Sequence, residues 1–106
     1  MYYAFNNLPV RILGSHEIQN VTEPYLFAMF CLFYRDVLAQ GLKGKYDYPD
    51  GITIGQSCLH LRQAYTSWDI HKYPGWSHYL PMPHHVQSPR AVSFVVGETE
   101  ILIKKF

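Results

Sequence analysis

The stretch from Asp69 to Arg90 constrains this fold more than any other feature of the sequence. It contains four of the six histidines, several aromatic residues, and prolines at positions 74, 81, 83 and 89. Each proline removes a backbone N–H and fixes φ, so this spacing argues against a continuous helix or a central strand. Disordered segments are poor in aromatic residues, and this one is rich in them. The sequence therefore predicts an ordered, irregular surface loop lined by aromatic and histidine side chains.

Length and composition indicate one small domain with apolar groups on its exterior. A chain of 106 residues is expected to form a single domain over residues 1–106. Charged residues make up 16% of the chain, against about 25% in typical domains. Because so few charges leave apolar surface exposed, we expect a protein partner or self-association, most simply a homodimer.

Charge and hydropathy patterns argue against two classes of partner. The net charge is +1 and the basic residues are scattered, whereas a duplex-binding protein carries a basic stripe that follows the phosphates. The longest uninterrupted apolar run, Tyr25–Tyr34, is too short to cross a bilayer. The two cysteines, Cys31 and Cys58, are expected to be reduced. We therefore expect a cytoplasmic protein with no membrane or duplex nucleic acid partner.

The first half of the chain suggests a hairpin followed by a long helix. Tyr2–Phe5 and Leu8–Leu13 could pair through an Asn6-Asn7 turn, because asparagine tolerates positive φ. Thr22 is a plausible N-cap for a helix over Glu23–Gln40, whose apolar residues occur nearly all round. A helix of this kind would be buried on several sides or would meet a second subunit.

The second half suggests a strand, a helix and a C-terminal hairpin. Ile52–Ile54 reads as a short strand, and Gln56–Trp68 has apolar residues at helical spacing. Ala91–Val96 and Thr99–Lys105 alternate with period two around Gly97-Glu98, which predicts a hairpin with Phe94 and Ile101 buried on one face. The predicted fold class is α+β, with a small antiparallel sheet of three to five strands packed against two helices.

Histidine chemistry offers two candidate sites in the loop. His71, His78 and His84 could place three nitrogens around a metal ion, but their spacing matches no compact ligand pattern. We therefore expect no bound zinc and no other cofactor. As an alternative, His71 and His78 could share acid and base work on an RNA phosphodiester, with Lys72 stabilising the charge. Tyr73 or Trp76 could then stack a base.

Aromatic residues on a proline-stiffened loop favour a binding surface. Tyrosine and tryptophan give large contact areas at low entropic cost and dominate interface hot spots. The candidate binding residues are Tyr73, Trp76, Tyr79, His71 and His78, with Tyr46 and Tyr48 as a second patch.

No catalytic motif is complete, so the sequence favours a non-enzymatic role. The leading expectation is a protein-binding inhibitor or adaptor, by analogy with small, motif-free phage and mobile-element proteins of the anti-defence or anti-CRISPR type. The alternatives are a histidine-based ribonuclease or metal-dependent enzyme of RNA or nucleotides, and a small-ligand-binding domain.

Overall fold

The computed structural model describes residues 2–15, 17, 20–72 and 75–106. Within them the regular elements after a short 3₁₀ turn at Tyr2–Phe5 are three helices and two strands. In chain order they are α1 (Leu32–Leu42), β1 (Gly51–Gly55), α2 (Leu59–His71), β2 (Trp76–Leu80) and α3 (Pro89–Ile103).

The two strands form a parallel sheet, in which Gly51 pairs with Trp76, Thr53 with His78 and Gly55 with Leu80. Parallel strands need a long crossover, and α2 supplies it. The predicted antiparallel sheet of three to five strands is therefore wrong. The expected strand at Ile52–Ile54 is confirmed, and the expected second helix is present but begins and ends three residues later than predicted.

The C-terminal hairpin is also wrong, because Pro89–Ile103 is one helix. Ser88 is its N-cap, with Oγ accepting a hydrogen bond from the Arg90 N–H at 3.3 Å, and Pro89 occupies the first turn, where its missing N–H costs nothing. Phe94 and Ile101 are 44% and 47% exposed and so do not form a buried face. Gly97 lies inside the helix, a position that glycine tolerates at a cost of about 1 kcal/mol relative to alanine.

The first half of the chain has less regular structure than predicted. Residues 8–13 form no strand, so the N-terminal hairpin is wrong, although Asn6 does adopt a positive φ of 57°. The expected helix over Glu23–Gln40 begins only at Leu32 and continues to Leu42. Residues 21–26 make turns instead, with the N–H groups of Tyr25 and Leu26 both bonded to the Thr22 carbonyl.

The predicted loop over Asp69–Arg90 divides into a helix end, a strand and a connection. It contains the last turn of α2, the whole of β2 and the start of α3. Pro81, Pro83 and Pro89 fall outside β2, so the strand loses no ladder hydrogen bond to them. Tyr73 and Pro74 lie outside the described residues.

One apolar core joins α1, α2 and one face of the sheet. Its buried members are Leu26, Leu38, Ile52, Ala64 and Trp68. The Trp68 ring lies directly against Gly41 of α1, where any side chain would collide with it. This close approach fixes how α1 packs on α2.

A buried carboxylate attaches the N-terminal segment to α1. Asp36 accepts hydrogen bonds from the Ser15 N–H at 2.5 Å, the Ser15 hydroxyl at 2.9 Å and the Gln40 amide at 3.1 Å. Asp36 and Gln40 are both buried. Across the described part of the chain, no helix is both long enough and apolar enough to cross a membrane.

Candidate functional site

Both cysteines of the chain stand immediately before a helix. Cys31 is the N-cap residue of α1 and Cys58 is the N-cap residue of α2, and these two helices pack against each other. The N-terminal end of a helix carries partial positive charge, which favours an anion such as a thiolate. Both are free thiols, with Cys58 exposed and Cys31 half-buried.

The Cys58 sulfur is held by the backbone of its own helix. Its Sγ accepts a hydrogen bond from the Leu61 N–H at 3.4 Å. This bond is the largest influence on the Cys58 thiol and lowers its pKa; hydrogen bonds from the Tyr34 hydroxyl, the His60 N–H and the Ser57 hydroxyl lower it further, while partial burial opposes them. Cys58 therefore carries more of the nucleophilic, metal-binding thiolate near neutral pH than an ordinary cysteine does.

Tyr34 connects the two cysteines. It lies in the first turn of α1, and its pKa is raised, chiefly by burial; the hydrogen bond with Ser57 opposes this rise, and the nearby Cys58 and Cys31 sulfurs add to it. Tyr34 therefore stays protonated near neutral pH, and its hydroxyl is able to donate a hydrogen bond to the Cys58 sulfur.

His60 is the fourth residue near the two cysteines, together with Tyr34. The Cys31 N–H donates a hydrogen bond to His60 Nδ1 at 3.0 Å, so the proton of a neutral ring lies on Nε2. The Phe30 ring packs edge-on against the imidazole, with ring centroids 5.1 Å apart. We call the four residues Cys31, Tyr34, Cys58 and His60 the cysteine corner.

The cysteine corner has the donor types that soft metals prefer. Thiolates bind iron and zinc, and a helix N-terminus stabilises their negative charge. No group of three or more His, Cys, Asp or Glu side chains suited to a metal occurs among the residues the structure describes. A metal held by Cys31 and Cys58 would therefore need further ligands from elsewhere.

Sequence reasoning gave little weight to these cysteines because each was placed inside a helix. A cysteine within a helix reads as a small core residue. The two cysteines share one position, immediately before a helix. This signal was hard to see in the sequence at Cys31, because α1 begins much later than its apolar run suggests.

The histidines and the lysine proposed for catalysis or metal binding each have different contacts in the structure. His71 packs against the Tyr25 ring, with centroids 4.6 Å apart. Lys72 forms an ion pair with Asp47 at 2.5 Å. His78 is buried on β2, and His84 Nε2 lies 2.8 Å from the Gln56 amide nitrogen near the surface.

The aromatic residues proposed for binding divide between packing and exposure. The Trp76 ring contacts Phe106, and the Tyr79 ring packs on Tyr65 beneath the Arg62 guanidinium. In the second patch, Tyr46 stacks on Trp68 and bonds to the Leu13 carbonyl, whereas Tyr48 is 63% exposed. Tyr73 lies outside the described residues. A binding role for these side chains stays a prediction.

A family model matches the chain over residues 1–106, and its description is 2-hydroxyglutaryl-CoA dehydratase, D-component. No curated protein matches the chain.

Membership of a dehydratase-component family overturns the functional expectation from sequence. A component of an enzyme conflicts with a non-enzymatic inhibitor or adaptor, and with a phage or mobile-element anti-defence role, so those predictions are wrong. The analogy failed because it relied on small size and the absence of motifs, neither of which depends on the chemistry of particular residues. Since the match covers every residue, the chain belongs to the 2-hydroxyglutaryl-CoA dehydratase D-component family.

Proposed function

We propose that this protein works as a component of a dehydratase that acts on 2-hydroxyglutaryl-CoA or a closely related 2-hydroxyacyl thioester. The observation that carries the proposal is the family match over residues 1–106. We further propose that the cysteine corner is the chain's contribution to the chemistry.

The reaction explains why thiolates would be useful. Loss of water breaks the C–O bond on the carbon beside the thioester and a C–H bond on the next carbon, and a double bond forms between them. The thioester carbonyl acidifies hydrogens on the first carbon but not on the second, so proton removal by a base is difficult there. A redox-active metal held by thiolates can supply and recover electron density in such a reaction.

The cysteine corner supports this role through its electrostatics. The N-terminus of α2, the Leu61 N–H and the protonated Tyr34 hydroxyl all favour negative charge on the Cys58 sulfur. Cys31 and Cys58 would be the metal ligands from this chain, and His60 and Tyr34 would orient them. The remaining ligands would come from another part of the assembly.

A protein partner is plausible because the matched family is, by description, one component of a dehydratase. On α3, Val92 and Val96 lie one turn apart and are 71% and 51% exposed. We propose that another component of the dehydratase covers this face, since an exposed apolar stripe on a helix favours association.

Homodimer formation and a cytoplasmic location, both expected from sequence, stay predictions; light scattering of the chain alone tests the first.

Cysteine variants test the proposed role. Cys31→Ser and Cys58→Ser replace soft sulfur by a hydroxyl that does not ionise near neutral pH. We expect each to reduce the rate of water loss from 2-hydroxyglutaryl-CoA by at least about 100-fold in the assembled dehydratase, the scale for loss of an essential group. We also expect each to lower the iron bound per assembly. Thr66→Ala, an exposed change on α2 away from α3, is the control and should leave both unchanged.

Two results would count against the proposal. Cysteine variants that retain full rate and full iron content would remove the cysteine corner from the chemistry. An assembly that turns over equally well without this protein would remove the dehydratase role itself.

A further inference from the structure

A cavity of about 440 Å³ lies where the N-terminal 3₁₀ turn, the first residues of both strands and Phe106 come together. This volume is within the range of small-ligand sites. Among the described residues that line the cavity, none belongs to the cysteine corner. A ligand bound here would therefore serve a purpose separate from the chemistry of the two cysteines.

Four aromatic residues line this cavity: Tyr2, Tyr48, Trp76 and Phe106. The Phe106 ring meets the Trp76 ring at 76° and the Tyr2 ring at 63°, with centroids 5.6 and 5.3 Å apart. Rings at such steep angles form walls of different orientation instead of one flat stack. Because the face of an aromatic ring carries partial negative charge, walls of this kind suit a cation, as in the aromatic cages that bind quaternary ammonium groups.

The sheet fixes the position of Trp76 in this wall. Gly51 is the register partner of Trp76 on β1, and a side chain at Gly51 would collide with the indole ring. The ring therefore lies directly against the Gly51 backbone. Tryptophan attracts cations more strongly than the other aromatic side chains do, and a ring that is already fixed lowers the ordering cost of binding.

The charge of the lining also favours a cation. Among the described residues of the lining, Asp50 is the only charged one, and it is exposed. In the described part of the chain, Asp50 forms no ion pair. Lys104 and Lys105 precede Phe106 but do not line the cavity. A carboxylate beside aromatic rings attracts a positive ligand and repels an anion.

We propose that this cavity binds a small organic cation with a quaternary ammonium head, of about the size of choline. The ammonium group lies among the aromatic rings and beside Asp50, and the lining amides of Asn6 and Asn7 meet its hydroxyl end. A primary ammonium suits this wall less well, because it needs three hydrogen-bond acceptors whereas a quaternary one needs none.

Calorimetric titration of the full chain with choline and with dimethylbutanol, its uncharged isostere, tests the inference. The two ligands have the same shape, so the comparison isolates the charge. We expect saturable binding of choline and at least about tenfold weaker binding of dimethylbutanol, since only choline gains the cation–π and carboxylate attraction.

Variants at two exposed lining residues locate the binding. Tyr48→Leu and Asp50→Asn should each weaken choline about two- to fivefold, the scale of one exposed cation–π contact or ion pair. Tyr3→Leu and Asp47→Asn are the matched controls, because both residues are exposed and neither lines the cavity. We expect both controls to bind choline like the unaltered protein.

The two tryptophans of the chain provide an independent readout by NMR. Choline should shift the indole N–H resonance of Trp76 and leave that of Trp68, which does not line this cavity, in place.

Three results would overturn the inference. They are the absence of saturable choline binding, equal affinity for choline and dimethylbutanol, and affinity that Tyr48→Leu and Asp50→Asn both leave unchanged. A trimethyllysine peptide that binds when choline does not would assign the cavity to a partner protein and would overturn the inference equally.

Discussion

At the scale of single residues, Asp36 connects the N-terminal segment to the core. It is 7% exposed and accepts hydrogen bonds from the Ser15 N–H, the Ser15 hydroxyl and the Gln40 amide. A buried carboxylate is tolerated only when its oxygens are bonded in this way.

We predict that Asp36→Asn lowers the free energy of unfolding by about 1–3 kcal/mol, because an amide nitrogen cannot accept from Ser15. Asp47→Asn is the control: Asp47 is exposed and forms an ion pair with Lys72, and such pairs contribute about 0–1 kcal/mol. Urea denaturation measures both variants. Equal losses would contradict the structural role of Asp36.

Cys58 allows a pH-dependent test at the same scale. Its pKa is lowered, so its alkylation by iodoacetamide should reach half its maximal rate at a lower pH than an ordinary thiol. Tyr34→Phe removes one hydrogen bond to the thiolate, so the pKa should rise and the alkylation rate near neutral pH should fall. Tyr65→Phe, whose hydroxyl bonds to Ser77 instead, is the control. Mass spectrometry in a Cys31→Ser background follows the modification, and an unchanged midpoint in Tyr34→Phe would remove Tyr34 from the site.

At the scale of secondary structure, the residues of α3 fit two sequence patterns, that of a hairpin and that of a helix. The period-two pattern around Gly97 predicted a hairpin, yet the buried residues of α3 are Ala91 and Leu102, eleven residues or about three helical turns apart, with half-buried Val95 and Glu98 between them on the same side. That helical period was present in the sequence. The helical period was hard to recognise because apolar β-branched residues also occupy the exposed face of α3. The sequence therefore fitted both a helical period and the period of two that is typical of a strand.

Gly97→Ala decides between helix and hairpin. In the helix, an added methyl group meets open space, so we expect a gain of about 0.5–1 kcal/mol in unfolding free energy. In a two-residue hairpin turn the same change would destabilise the protein, because glycine there needs positive φ. Gly41→Ala is the matched control within α1; it should destabilise, since its methyl group would collide with Trp68. Thermal and urea unfolding measure both.

The packing of α3 on β2 should depend on pH through His78. Burial lowers the pKa of His78, the Lys105 ammonium lowers it further, and Glu98 opposes them. Below the unfolded value of about 6.5 the unfolded chain therefore binds a proton that the folded chain resists, so stability falls as the pH drops below about 6.5. His78→Gln should flatten this dependence, whereas His84→Gln, at an exposed site, should not. A slope that persists in His78→Gln would assign it to another group.

At the scale of the whole molecule, local sequence patterns predicted part of the fold but did not predict the cysteine corner. β1 and α2 were found because each has a clear local pattern, although the predicted limits of α2 were three residues too early at both ends. The parallel pairing was not found, since a β-strand next to prolines in an aromatic loop gives little local signal. The cysteine corner depends on α1 and α2 meeting at their N-termini, and sequence spacing alone does not reveal that contact. The single domain predicted over residues 1–106 stays a prediction.

The central claim is that this protein takes part in dehydrating a 2-hydroxyacyl-CoA. The most direct measurement is the formation of unsaturated product from 2-hydroxyglutaryl-CoA by the other dehydratase components, with and without this protein. We predict that product forms only when the protein is added, in proportion to its amount until the other components are saturated. The same rate in its absence, or no product in its presence, would contradict the claim.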